Sequence, residues 1–135
     1  MRRAACFSLI AILAFVGGCT SDEAYLEVQR EQCAAWMEMA DILATVKDEP
    51  SMAAAKKALD ERRDKFAAIA RKAQALPRPG PEAQAKMREK QYLVESALDR
   101  LKSQAKRVND LKPGGAEFMR YFQSSSQGLL TGASP

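Results

Sequence analysis

Histidine is missing from all 135 residues, and much chemistry is missing with it. Imidazole acid–base catalysis, Ser-His triads, haem ligation by histidine, the usual zinc sites and the Glu-x-x-His pairs of di-iron bundles are excluded. Glycine-rich phosphate loops and the calcium-loop spacing are absent too. No stretch alternates apolar and polar residues with β-branched enrichment, so nothing in the chain calls for a strand. Cysteine occurs only as Cys6, Cys19 and Cys33, and tryptophan only as Trp36. A strong excess of one charge is lacking as well. The net charge of +4 is too small for the basic face of a nucleic-acid binder.

What remains is a helix-forming vocabulary of Ala, Lys, Glu, Leu, Gln and Arg, with 47% hydrophobic and 28% charged residues. The seven glycines and six prolines fall mostly at breaks. Leu26, Cys33, Trp36, Met37, Ala40, Leu43 and Ala44 recur at helical spacing. They predict a first helix that starts at a Thr20-Ser21-Asp22-Glu23 capping box and runs to Lys47. Pro50 and Ser51 open a second helix, with Met52, Leu59, Phe66 and Ala73 in one row and Ala55, Arg62, Ile69 and Leu76 beside it. Pro77-Arg78-Pro79-Gly80-Pro81 breaks that helix. Pro81 suits the first turn of a third, which carries Met87, Val94, Leu101 and Val108 to about Lys112. The expected fold is all-α: an antiparallel three-helix, coiled-coil-like bundle over residues 19–112. A Gly-Gly hinge and short aromatic helix follow at 113–123, then a disordered tail at 124–135.

Charge divides along the chain. Residues 20–49 hold eight acids and two bases, whereas residues 50–112 hold sixteen bases and eight acids. This predicts an acidic first helix lying against basic partners, with Arg62 reaching Glu38 or Asp41 across the interface. The carboxylates of Glu27, Glu31, Glu38 and Asp41 then belong to a solvated or cross-paired face, because acid–base work needs a cleft that perturbs them. Cys33, Met37 and Met39 have the softness of copper ligands, but Cys33 and Met37 sit on the apolar stripe, where both are packing residues. Neither a catalytic residue nor a metal site emerges, and the chain reads as no enzyme.

The first residues have a different plan. Arg2 and Arg3 precede an apolar run over residues 4–16, broken only by Ser8 and too short to span a bilayer. Val16-Gly17-Gly18-Cys19 then resembles the lipobox of bacterial lipoproteins. That resemblance covers residues 1–20 and implies a signal peptide over residues 1–18, cleavage between Gly18 and Cys19, and lipid attached to Cys19. No other cofactor is implied. Two or three acyl chains on one residue make release negligible. The residue after the cysteine is Thr20 and not the Asp associated with inner-membrane retention, so the periplasmic leaflet of the outer membrane is the implied address. With Cys6 removed and Cys19 lipidated, Cys33 has no intrachain disulfide partner, while an intermolecular one stays open.

The expected role is a membrane-tethered structural or interaction module, held by its lipid anchor near an envelope protein or the cell wall, with no nucleic acid involved and oligomerisation open. A chaperone-like or small apolar ligand-binding helical protein is the alternative. Phe118, Met119, Tyr121 and Phe122 are the candidate interface, either a docking segment or a cap folded onto the bundle end. The core reading predicts that Phe66→Ala costs about 3–5 kcal/mol and Cys33→Ala about 1 kcal/mol, measured by urea unfolding. A silent Phe66 change beside a collapsed Cys33 variant would reverse the core assignment.

Overall fold

The computed structural model describes residues 20–131, and every described element is helical. The signal segment with Gly18 and Cys19 lies outside the described residues, as do residues 132–135. The first helix, α1 (Asp22–Ala44), follows Ser21, whose side chain makes no capping hydrogen bond. The box expected at Thr20 is therefore not formed, although Asp22 and Glu23 still put negative charge on the helix's positive end. A capping box does form one helix later. Before α2 (Glu49–Ala75), the Asp48 carboxylate accepts from the Ser51 N–H at 2.9 Å, and the Ser51 hydroxyl accepts from the Asp48 N–H at 2.9 Å. Two otherwise unsatisfied donors are met at once, a device worth about 1 kcal/mol.

The long third helix of the sequence reading is two helices, α3 (Pro81–Glu89) and α4 (Gln91–Asn109). Pro81 opens α3 as expected, but the chain breaks at Lys90, where neither proline nor glycine stands. A tertiary contact sits at the break. The buried amide of Gln29 in α1 donates to the carbonyl of Met87 at 3.2 Å, and the Lys90 N–H closes a tight turn onto the same oxygen at 3.1 Å. A buried amide needs a partner, and the tightened turn supplies one.

The last element corrects the sequence reading most. α5 (Gly115–Thr131) is a full helix, where a short helix ending at 123 and a disordered tail had been expected. Its serines are helix-compatible because Ser124 and Ser126 donate back to the carbonyls of Tyr121 and Phe122, at 2.8 and 2.7 Å. Phe118, Met119, Phe122, Ser126 and Leu129 are buried along one face. Gly114 takes φ +89°, and a Cβ on Gly115 would stand 2.1 Å from the carbonyl oxygen of Val108. The pair makes a tight corner that only glycine can turn.

These helices pack as a ring: α1 against α2 and α4, α5 against α2 and α4, with α3 on the first half of α1. The architecture is thus five packed helices and not the three-helix bundle expected. Residue pairings set the directions. Lys72 meets Glu31 while Lys65 meets Glu38, so α1 and α2 run oppositely. Lys86 meets Asp22 while Arg100 meets Asp41, so α3 and α4 run with α1. Met39, Leu43, Val46, Leu59, Val108, Phe118 and Leu129 are almost fully enclosed at the centre, and Phe66 is buried as expected.

Two further contacts fix α1 at its ends. The Tyr25 hydroxyl donates to the carbonyl of Pro77 at 3.1 Å. Arg107 donates to the carbonyls of Leu43 and Val46 at 2.7 and 2.8 Å, giving α1 the positive C-terminal charge that its own last turn lacks. The corner at Gly115 gives the sharpest test. Gly115→Ala must push the backbone of α5 away from Val108, at a cost of about 1–3 kcal/mol or more. Chemical denaturation followed by circular dichroism should show that loss, and a variant as stable as wild type would contradict the close approach.

Candidate functional site

The charge division of the sequence becomes a set of bridges between helices. Glu38 of α1 is held by Lys65 and Arg62 of α2, the pairing expected for Arg62. Lys72 bridges Glu27 and Glu31. On the opposite flank Asp22 meets Lys86 and Asp41 meets Arg100. Glu38 and Asp41 thus turn to different neighbouring helices and form no carboxylate pair. All these bridges are at least partly exposed, so each contributes little alone, and their joint effect is to select which helix faces which.

Phe118, Met119 and Phe122 are not offered to a partner. They are 1%, 6% and 2% exposed and belong to the central core. This decides between the two readings of the segment: it is built into the fold, and the docking surface assigned to these residues is withdrawn. Tyr121 is half-buried and tied to α2, its hydroxyl donating to the Asp60 carboxylate and its ring lying 5.2 Å from the Lys56 ammonium. A heptad reading extended past Phe122 to Leu129 would have revealed the helix; the run Ser124-Ser125-Ser126 obscured it.

Trp36 is a core residue, and its indole N–H is buried without a partner among the described residues.

The feature that sequence reasoning missed is a groove of about 540 Å³ between α1 and α4. Leu26, Cys33, Ala34 and Met37 line it from α1, and Leu93 and Ala97 from α4. Glu23, Arg30 and Lys90 provide its charged groups, with Gln29 and Ser96 between them. The break at Lys90 borders this groove, and beyond it Tyr92 and Leu93 stand 61% and 46% exposed, unusual for large apolar side chains. Cys33 faces the groove as a free thiol, and burial raises its pKa above the ordinary value, so it is protonated near neutral pH. A second groove of similar size lies between α1 and α2. Its cations Lys65 and Lys72 are already engaged by Glu38 and Glu31. Arg30 and Lys90, by contrast, have no ion-pair partner among the described residues.

No protein-family model, curated protein or solved structure matches the chain. Among the described residues no helix is long and apolar enough to cross a membrane, and no three His, Cys, Asp or Glu side chains converge as metal ligands would.

The bridges predict a pH dependence. The Lys65 hydrogen bond, with Arg62 beside it, holds the Glu38 carboxyl below its ordinary value of 4.5. A depressed folded pKa means stability that is complete above about pH 4.5 and lost as pH falls through the folded value. Glu38→Gln should therefore be less stable than wild type at neutral pH, with the difference shrinking as acid protonates Glu38. Urea midpoints measured across that range check it; a constant difference would separate Glu38 from the acid response.

Proposed function

We propose that the protein is a lipid-anchored envelope lipoprotein whose helical domain acts as a structural or interaction module at the membrane surface. One observation carries the reading: Arg2-Arg3, the apolar run at 4–16 and Val16-Gly17-Gly18-Cys19 follow one another in the order a lipoprotein signal requires. In this reading Gly18 and Cys19 flank the cleavage, and Cys19 carries the acyl chains. Thr20 favours the outer membrane's periplasmic leaflet. Because α1 starts at Asp22, the anchor and the folded domain are separated by two residues, and the bundle stands directly on the bilayer. An envelope protein or the cell wall is then the natural partner, reached through the bundle's surface and not through the buried aromatics of α5. The all-helical packing and the dispersal of the α1 carboxylates among separate ion pairs support a non-enzymatic role.

A second reading has its own observation. The α1/α4 groove is within the range of about 300–1,000 Å³ typical of small-ligand pockets, and its lining is mostly aliphatic and sulfur-bearing. It supports binding of a small apolar ligand, a role compatible with the anchor.

Cys19→Ala tests the principal reading. The wild type should incorporate a metabolically supplied palmitate analogue and sediment with membranes, while the variant should lose the label and accumulate uncleaved. Full labelling of the variant would overturn the assignment of Cys19.

A further inference from the structure

We propose that the α1/α4 groove binds a single-chain amphiphile with an anionic head, of the long-chain carboxylate class; this rests on the small-ligand reading above. The lining chooses the tail. Leu26, Cys33, Met37 and Leu93 are flexible or branched aliphatic and sulfur side chains, and no aromatic ring is among them to stack on a planar ligand. Methionine adapts its shape to a chain with many conformers. A tail laid between the helices would also cover part of Leu93, which is 46% exposed.

Charge chooses the head. Arg30 and Lys90 line the groove, one from α1 and one from the break between α3 and α4, and Glu23 is the single acid with them. The other cations that α2, α3 and α4 direct at α1 are engaged: Lys65 and Arg62 with Glu38, Lys72 with Glu31, Lys86 with Asp22, Arg100 with Asp41, and Arg107 with the carbonyls of Leu43 and Val46. Arg30 and Lys90 have no such partner among the described residues, on a mostly aliphatic groove, in a chain whose first helix is acidic. A carboxylate between them, with its chain on the aliphatic lining, satisfies both halves of the site.

Cys33 supplies the readout, because a ligand in the groove shields its thiol. The full-length protein in phosphatidylcholine vesicles is alkylated with a maleimide. Modification is then quantified on the peptide of residues 32–38, released by cleavage after Glu31 and Glu38. Palmitate should slow alkylation saturably, more effectively than 1-hexadecanol, which has the same chain and no charge. Arg30→Glu with Lys90→Glu should weaken palmitate about tenfold while leaving 1-hexadecanol unchanged. Both residues are exposed, so their reversal leaves the core intact.

Equal protection by palmitate and 1-hexadecanol would overturn the anionic head and spare the groove. Protection by neither would overturn both. A Cys33 that is shielded in the lipidated wild type without added palmitate, and unshielded in Cys19→Ala, would assign the groove to the chain's own anchor and reject a free ligand. Loss of palmitate labelling at Cys19 is read separately, so failure of the lipoprotein reading does not decide this one.

Discussion

Every helix end in this protein leaves carbonyls or N–H groups that must find partners, and the fold depends on side chains from other helices meeting them. α1 is the clearest case. The Leu43 carbonyl in its last turn and the Val46 carbonyl just beyond it accept from Arg107, a residue more than sixty positions later in the chain. At its other end Tyr25 and Gln29 reach out to carbonyls at Pro77 and Met87. These bonds are between a few hydrogen-bonding groups only, yet breaking the Gln29 bond leaves a buried amide donor without its acceptor, which costs more than the bond contributes. They fix the lengthwise position of α1 against the loop after α2, against α3 and against α4. Apolar packing alone would tolerate sliding by a turn; directional bonds at both ends do not.

Once α1 is fixed, the ion pairs fall into place as a consequence. The acids of α1 lie in two stripes, Glu27, Glu31 and Glu38 toward α2, and Asp22 and Asp41 toward α3 and α4. Each stripe meets lysines and arginines at matching heights. Exposed pairs of this kind stabilise weakly, but a misplaced register would set like charges together, so the pattern disfavours the alternatives. α5 is held by different means. Its aromatic face fills the fourth side of the core, and Gly128 comes close to Ala70, where an added Cβ would touch at 3.4 Å.

The groove borders the bond that ties α3 to α1. Gln29 bonds the Met87 carbonyl where the helix tightens into the break at Lys90, and the groove lies beside that break. A continuous helix would have carried its apolar row past this point without interruption. The proposed ligand site thus lies beside a satisfied buried amide, and it faces the half of α1 nearest the proposed anchor. Membrane tether and amphiphile groove are separate inferences that meet at the same end of the bundle.

Sequence alone determined the helical class, the start of α3 at Pro81, the burial of Phe66 and Leu59, and the pairing of Arg62 with an acid of α1. Local spacing and charge suffice for these, because apolar periodicity and proline geometry act within a turn or two. It also supplied the Cys19 reading, which is a property of a linear signal. What it did not determine required knowledge of distant partners. The break at Lys90 has no proline or glycine to announce it, and the Gln29 bond to Met87 beside it joins residues far apart in the chain. The three serines of α5 read as tail until Phe118, Phe122 and Leu129 have a core to enter, and glycines that read as a hinge become a rigid corner once Val108 lies behind them. The groove is the extreme case, lined from helices some sixty residues apart, and tertiary packing alone brings Cys33, Arg30, Lys90 and Leu93 to one surface.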